Sequence, residues 1–300
     1  MPAGGPAYRQ LGPGVIKARA EAAWERADPC RLCPRECGAR RRAGEVGVCR
    51  TADRAVVSSY GPHFGEEPPL TGWRGSGTIF FTWCNLRCLY CQNYEISQEG
   101  EGRPVGDLDL AQMMLTLQEW GCHNINLVSP THVVPQILSA LAIAVERGLS
   151  VPLVYNTGGY DSVDTLRLLE GIVDIYMPDM KYSDAEVARR FSGVPDYPER
   201  NREAVREMHR QVGDLVIEGG LARKGLIVRH LILPGGLAGT EEVVRFLVEE
   251  ISPRTYVNIM GQYRPCYRAR ETVELGRPVT AGEYLAGLEV ARRAGLRLAR

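Results

Sequence analysis

Cysteine is the residue type whose number and spacing indicate chemistry in this sequence. The 300 residues include nine cysteines, and seven of them lie between positions 30 and 91. They form a group of four, a group of three and two isolated residues: Cys30, Cys33, Cys37 and Cys49; Cys84, Cys88 and Cys91; Cys122 and Cys266. The odd number, and a first segment without the features of an export signal, favour metal ligands over disulfides.

The group of three lies within eight residues, Cys84-Asn-Leu-Arg-Cys88-Leu-Tyr-Cys91, here called the three-cysteine loop. Cysteine thiolates are the usual ligands of iron–sulfur clusters, and a 4Fe–4S cluster held by three of them keeps one iron open to another ligand. Zinc with three thiolates and a water is the alternative, although zinc ligands usually occur as separated pairs. The spacing therefore favours a cluster with one open iron.

The group of four lies in residues 30–54, here called the four-cysteine segment. Its four cysteines are the number of ligands that a closed four-thiolate metal site needs. The segment has seven arginines, three acidic residues and little apolar periodicity, so metal binding must supply the folding energy that burial cannot. Four thiolates on Zn²⁺ or on a 4Fe–4S core carry a net charge of about −2, which the arginines would offset. A structural zinc and a second cluster both remain open.

The elements that must position the cysteines follow from the apolar pattern after Gly75. Strands are predicted near 78–83, 124–128, 152–155, 172–177, 226–233 and 255–260, and helices near 107–119, 132–147, 162–169, 184–190, 198–212, 239–250 and 280–292. This alternation predicts an α/β fold, a partial barrel of six βα units, with a doubly wound sheet as the alternative. In either fold the ligand site lies at the carboxyl ends of the strands.

The predicted barrel covers residues 76–300, and residues 1–75 form an N-terminal extension. The extension comprises a helix over 15–27, the four-cysteine segment, a strand over 55–60 and a Pro-rich loop to Gly72. In that loop, Glu66 and Glu67 are predicted to border the substrate entrance.

The CxxxCxxC pattern after the first strand, with the aromatic Tyr90 before its last cysteine, resembles the radical S-adenosylmethionine (SAM) superfamily. The resemblance covers residues 76–300, and the local sequence is most similar to the pyruvate formate-lyase activating enzyme group. It implies a 4Fe–4S cluster on the three-cysteine loop, whose open iron binds the amino and carboxylate groups of SAM. It also implies one-electron cleavage of SAM to a 5′-deoxyadenosyl radical, which abstracts hydrogen from a substrate.

The same resemblance implies SAM contacts at several strand ends. The residues concerned are Tyr90, Asn93, Ser129, Thr131, Asn156, Thr157, Asp179, Lys181 and Arg229. The sequence departs from the activating enzymes after the second strand, where Val128-Ser-Pro-Thr-His132 replaces a Gly-Gly-Glu segment, and at Asn156, which replaces a carboxylate. Because Ser129 and Thr131 still supply hydrogen-bond acceptors, we expect the ammonium of SAM to be bound differently in detail.

The sequence therefore predicts a radical SAM enzyme that uses an electron donor such as flavodoxin or ferredoxin. A glycyl-radical-enzyme activase, with a protein substrate, and an enzyme that modifies a small metabolite or peptide are the alternatives for the reaction. A non-catalytic zinc-binding regulatory protein is a further alternative.

Basic and acidic residues number 36 each, and no apolar run reaches the roughly 20 residues of a spanning helix, so neither nucleic acid nor membrane binding is expected. The expected location is cytoplasmic.

Overall fold

The computed structural model describes residues 5–299, in which strands and helices alternate along most of the chain. The strands are β1 (Ala55–His63), β2 (Ser76–Phe81), β3 (Arg103–Val105), β4 (Ile125–Val128), β5 (Leu153–Thr157), β6 (Ile175–Pro178), β7 (Val216–Glu218), β8 (Leu221–Leu231), β9 (Tyr256–Met260) and β10 (Arg297–Leu298). The helices are α1 (Tyr8–Arg26), α2 (Pro68–Thr71), α3 (Asp107–Glu119), α4 (Val134–Glu146), α5 (Val163–Arg167), α6 (Ala185–Ser192), α7 (Tyr197–Val212), α8 (Thr240–Phe246) and α9 (Ala281–Arg293).

The strands form an open sheet in the order β10-β9-β8-β6-β5-β4-β2-β1-β3, with β7 paired to β8. Seven of them pair in parallel in that succession, namely β2, β4, β5, β6, β8, β9 and the two-residue β10. At one edge, β1 pairs antiparallel with both β2 and β3. The first six of the parallel strands overlap the six predicted ones and only β10 was not predicted, so the predicted α/β partial barrel is confirmed.

The central strands are buried on both faces, because helices cover one face and the barrel interior covers the other. Every residue of β5 and β6 is buried. The helix α4, VPQILSALAIAVE, packs against α1, which adds Ile16, Ala20 and Ala23 to the main core. In the part of the chain that the structure describes, no helix combines the length and apolar character needed to cross a membrane.

The N-terminal part differs in detail from its prediction. The helix α1 begins at Tyr8 and is kinked at Gly12, whose φ of +75° precedes Pro13. The strand β1 continues to His63, and the predicted Pro-rich loop contains the single turn α2. The strands β3, β7 and β10 have only two or three residues each, too few for a periodic pattern to indicate them.

The four-cysteine segment lies between α1 and β1 and has little regular structure. It contains a single 3₁₀ turn, Arg41–Ala43, and its apolar cluster consists of Ala27, Cys30, Leu32 and Ala39 with Trp24 beside it. The proposed boundary between residues 75 and 76 stays a prediction. Two elements on its N-terminal side, α1 and β1, contribute to the main core and to the sheet.

Candidate active site

The carboxyl ends of the parallel strands surround one pocket, and the three-cysteine loop forms part of its wall. Cys84, Cys88 and Cys91 all line this pocket, which also receives residues from the ends of β4, β5, β6 and β8. The loop leaves β2 directly, so the strand carries the cysteines to the end of the sheet where parallel α/β folds bind ligands.

Each sulfur of the three-cysteine loop has a polar hydrogen-bonding group beside it. The backbone N–H of Leu86 donates to Cys84 Sγ at 3.4 Å. The hydroxyl of Ser192 donates to Cys88 Sγ at 3.0 Å, and Ser97 Oγ lies 3.0 Å from Cys91 Sγ. Such groups stabilise thiolates and tune the clusters that thiolates bind, so these residues fit a 4Fe–4S cluster.

Burial favours the protonated form of two of these thiols, Cys84 and Cys88. It raises the pKa of Cys84 to about 12, and it also raises the pKa of Cys88, where nearby Lys181 acts in the opposite direction. Because a metal ligand must be the thiolate, cluster assembly at this loop releases protons.

Eight of the nine residues predicted to contact SAM line the same pocket. They are Tyr90, Asn93, Ser129, Asn156, Thr157, Asp179, Lys181 and Arg229. The ninth, Thr131, is buried behind the pocket, where its hydroxyl lies 3.0 Å from Thr157 Oγ1 and donates to Asp161 Oδ1 at 2.7 Å. The structure thus brings eight of these side chains together and places Thr131 behind one of them, while their contacts with SAM stay predictions.

An ion network of three charged side chains forms one side of the pocket. Lys181 Nζ lies 2.6 Å from Asp179 Oδ2, and Arg229 Nε lies 3.0 Å from Asp179 Oδ1. Arg229 also donates to Asn156 Oδ1 at 2.6 Å. Burial alone would raise the pKa of Asp179, but the two cations outweigh burial and lower it. The ionised carboxylate therefore fixes two cations beside the cysteines, where they can bind an anionic group.

The backbone at two strand ends of the pocket adopts positive φ values. Ser129, after β4, has φ +58°, and its N–H donates to the carbonyl of Asn156 at 2.8 Å. Gly159 has φ +76°, and a Cβ there would lie 2.2 Å from the carbonyl oxygen of Asp179. Left-handed conformations are costly for residues other than glycine, so the strain at Ser129 marks a position that the surrounding contacts hold in place.

Asp161 is a buried carboxylate of the site that the sequence analysis did not identify. It accepts hydrogen bonds from Thr157 Oγ1 and Thr131 Oγ1, each at 2.7 Å, and from Tyr155 Oη at 2.9 Å. Burial raises its pKa, and the three hydroxyl donors oppose that effect. Asp161 therefore fixes the position of Thr157 in the wall of the pocket. The sequence feature that could have identified Asp161 is its position two residues after Gly158-Gly159.

The two glutamates expected at the substrate entrance lie instead inside the barrel. Glu66 Oε2 is 3.6 Å from Arg229 Nη1, and Glu67 Oε1 accepts a hydrogen bond from Asn258 Nδ2 at 2.9 Å. Burial raises the pKa of Glu66, and Arg229 opposes the increase. These acids therefore extend the ion network of Arg229 away from the cysteines.

The four-cysteine segment forms a second, smaller cavity. Cys30, Cys33, Cys37 and Cys49 all line it; Cys37 is exposed and the other three are buried. Among residues 5–299, no three His, Cys, Asp or Glu side chains meet closely enough to hold a single metal ion. Of the two isolated cysteines, Cys122 packs in the main core and Cys266 is buried.

The comparison with protein families agrees with this site. Residues 78–219 match the model of the Radical SAM superfamily. An uncharacterized protein of Methanocaldococcus jannaschii is 30% identical over 296 residues, a match that covers 95% of this chain and 81% of the relative. The chain therefore contains a radical SAM superfamily domain. Its cofactors are accordingly a 4Fe–4S cluster and SAM.

Several solved structures are similar in fold. SuiB of Streptococcus suis bound to its precursor peptide SuiA has a TM-score of 0.48 at 15% identity, covering 72% of this chain and 46% of SuiB. The protein anSMEcpe, with bound AdoMet and the Cp18Cys peptide, has a TM-score of 0.49 at 10% identity, covering 69% of this chain and 55% of that one. HydG, a maturase of the FeFe hydrogenase, has a TM-score of 0.48 at 11% identity, covering 71% of this chain and 47% of HydG. The chain thus spans about half the length of these structures.

Proposed function

We propose that the protein cleaves SAM reductively and uses the resulting 5′-deoxyadenosyl radical to abstract hydrogen from a substrate. The observation that carries this proposal is the convergence of three cysteines and the Asp179–Lys181–Arg229 network on one pocket. When bound, the cluster supplies the single electron that breaks the carbon–sulfur bond of SAM. The protein binds and orients the cofactor and keeps water away from it.

The side chains of the pocket divide these tasks. Lys181 and Arg229 bind the carboxylate of SAM, and Asp179 holds both cations in position. The hydroxyl of Ser129 accepts a hydrogen bond from the SAM ammonium, while Asn156 and Thr157 contact its ribose and methionine portions. In this role Thr157 depends on Asp161, whose carboxylate it meets at 2.7 Å.

A wall of aromatic side chains excludes water behind the three-cysteine loop. The ring of Tyr90 packs edge-on against Tyr182 and Tyr263, with centroids 6.3 and 5.9 Å away. These tyrosines are buried in one cluster with Cys88 and Leu86. A dry wall protects a reactive radical from side reactions.

For the substrate, we propose a glycyl-radical enzyme of the pyruvate formate-lyase type. In this reaction one electron and SAM yield methionine, 5′-deoxyadenosine and a glycyl radical, whose glycine has given one hydrogen atom to the deoxyadenosyl group. Support comes from Asp179-x-Lys181 and from Arg229-x₄-Pro234-Gly235, two patterns that resemble the activating enzymes. The partners in this proposal are the glycyl-radical enzyme and a flavodoxin or ferredoxin in the cytoplasm.

Electron paramagnetic resonance (EPR) of a mixture with a glycyl-radical enzyme tests the substrate. We expect a glycyl radical signal that requires SAM and reductant and is lost with Cys88→Ala. Formation of 5′-deoxyadenosine without any glycyl radical in each such enzyme tested would overturn the activase proposal and leave SAM cleavage standing. Transfer of deuterium from a labelled metabolite or peptide into 5′-deoxyadenosine would then identify the alternative substrate class.

A further inference from the structure

The cavity of the four-cysteine segment is built to surround an object larger than one ion. Its four cysteines line one cavity, yet among residues 5–299 no three of them meet closely enough to hold a single ion. A tetrahedral zinc with Zn–S bonds of about 2.3 Å would instead bring its sulfurs to about 3.8 Å from one another and leave no space between them. Gly47 lies so close to Cys37 that a Cβ on it would be 2.4 Å from the sulfur. The backbone is thus shaped around these cysteines.

The cavity also contains buried positive charge that has no partner. Arg41 is 1% exposed and donates through Nε to the carbonyl of Thr51 at 3.0 Å, but neither Nη atom has a hydrogen-bond partner among the described residues. The Nη2 atom of Arg35, another residue of the cavity wall, is buried and unpartnered in the same way. Burying a cation without a partner is costly, so the object in the cavity must carry negative charge and hydrogen-bond acceptors.

The cavity adjoins the three-cysteine loop through one residue. Asn85 lines the cavity together with Cys33, and its Oδ1 lies 3.8 Å from Sγ of its neighbour Cys84. Its backbone carbonyl accepts a hydrogen bond from Arg35 Nε at 2.5 Å. One asparagine therefore lies between the cavity of the four-cysteine segment and a cysteine of the three-cysteine loop.

A second connection runs through Arg87, on the same loop. Its guanidinium donates to the carbonyl of Val48, the residue before Cys49, and to Gln98 Oε1 at 3.0 Å. Gln98 in turn donates to Ser97 Oγ at 3.1 Å, which lies beside Cys91. Both connections are short and continuous, as an electron path between two centres requires.

We propose that Cys30, Cys33, Cys37 and Cys49 bind a second 4Fe–4S cluster, which receives electrons from the donor protein and passes them through Asn85 to the cluster of the three-cysteine loop. This proposal rests on the proposed function, because SAM cleavage consumes the electron. A low-potential one-electron donor is oxidised by one electron, the second cluster is reduced and reoxidised, and no bond forms or breaks in either transfer. The electron finally enters the carbon–sulfur bond of SAM as that bond breaks.

The outer side of the cavity suits the arrival of such a donor. Cys37 is exposed there, and the four-cysteine segment carries three exposed arginines, Arg31, Arg42 and Arg50. Exposed basic residues steer acidic partners to a surface and speed their association. The donor of this proposal is therefore a small acidic electron-transfer protein.

Metal analysis and EPR of the full-length protein, reconstituted without oxygen, test the second cluster. We expect about eight irons and no zinc per chain, and about four irons in a Cys33→Ser/Cys49→Ser double variant or in Cys88→Ala. Fully reduced wild-type protein should show a spectrum broadened by coupling between two spins, unlike the sum of the two variant spectra. One zinc with four irons, or a wild-type spectrum equal to that sum, would overturn the proposal.

Asn85→Ala tests the electron path without removing any cysteine, with exposed Gln112→Ala as its control. For Asn85→Ala we expect unchanged iron content and about tenfold slower reduction of the three-cysteine cluster by flavodoxin. This rate change corresponds to a barrier about 1.4 kcal/mol higher. An unchanged rate would refute the path. With dithionite, 5′-deoxyadenosine should form in both variants; its absence there would count against SAM cleavage itself, so the two failures are distinguishable.

Discussion

The two cysteine sites of this protein are neighbours, yet they are held together by different forces. The three-cysteine loop is embedded in an apolar and aromatic cluster that includes Leu86, Cys88 and Tyr90. The four-cysteine segment has an apolar cluster of four small or medium side chains and a single 3₁₀ turn. The comparison teaches that packing of the fold holds the first site in place, whereas the second has little packing and, in our proposal, is organised by the metal it binds.

The two sites also differ in how their charges are paired. Beside the three-cysteine loop, Asp179 already neutralises part of the charge of Lys181 and Arg229. In the four-cysteine cavity, Arg41 has no acidic partner within hydrogen-bond distance among residues 5–299, since only its Nε is hydrogen-bonded, to backbone carbonyls. The first site can thus exist as a balanced pocket before it binds SAM, and the second is balanced only when its thiolates are present.

The largest effect that separates the sites is expected from loss of one ligand cysteine. Cys88→Ala should abolish SAM cleavage, measured as 5′-deoxyadenosine, because the cluster loses one of its three protein ligands. Cys30→Ala should chiefly impair folding or turnover of the substrate. Cys122→Ala is the matched control, since Cys122 packs in the main core. SAM cleavage at the wild-type rate in Cys88→Ala would contradict the assignment of the cluster.

Metal removal should act on the two sites unequally. After chelation without oxygen, backbone amides of residues 30–54 should exchange hydrogen at least about a hundredfold faster, because metal binding there supplies the folding energy. Amides of the three-cysteine loop should retain most of their protection, since packing holds that loop. Mass spectrometry measures the hydrogen exchange. Equal loss of protection at both sites would show that packing does not hold the three-cysteine loop better than the four-cysteine segment.

The difference between the sites also explains what the sequence could predict. The parallel strands and the position of the three-cysteine loop after β2 follow from apolar periodicity and a local motif. Thr131 was expected in the SAM pocket, but the strand end turns at Ser129 with positive φ, and no sequence pattern indicates that turn. Arg229 meets Glu66 only because the barrel brings β8 beside a distant loop, so their contact could not be predicted from local sequence.

A smaller effect is expected from the ion network of the SAM pocket. Lys181→Met should weaken SAM binding about 10- to 100-fold, because a hydrogen bond to a charged group contributes about 1.5–3 kcal/mol. Titration calorimetry with SAM and the reconstituted protein measures this change. Lys17→Met is the control, since Lys17 forms an exposed ion pair with Glu146. Equal affinities for SAM in Lys181→Met and the wild type would show that Lys181 does not bind its carboxylate.

The smallest effect concerns the unpartnered arginine of the second site. Arg41→Met should make iron release from the four-cysteine segment to a chelator about fivefold faster, a loss of about 1 kcal/mol of hydrogen bonding to charged sulfur. Arg42→Met, one residue away but exposed, should release iron at the wild-type rate. If the two variants release iron equally fast, burial of the guanidinium has no bearing on the metal.

The central claim is that the pocket of the three-cysteine loop cleaves SAM, and product analysis tests it most directly. Protein reconstituted with iron and sulfide is reduced with dithionite, given SAM, and analysed for 5′-deoxyadenosine by chromatography and mass spectrometry. We predict 5′-deoxyadenosine and methionine in equal amounts, formed only when reductant and SAM are both present. No 5′-deoxyadenosine from protein whose three-cysteine loop carries its full cluster, with flavodoxin and candidate substrates also supplied, would contradict the account.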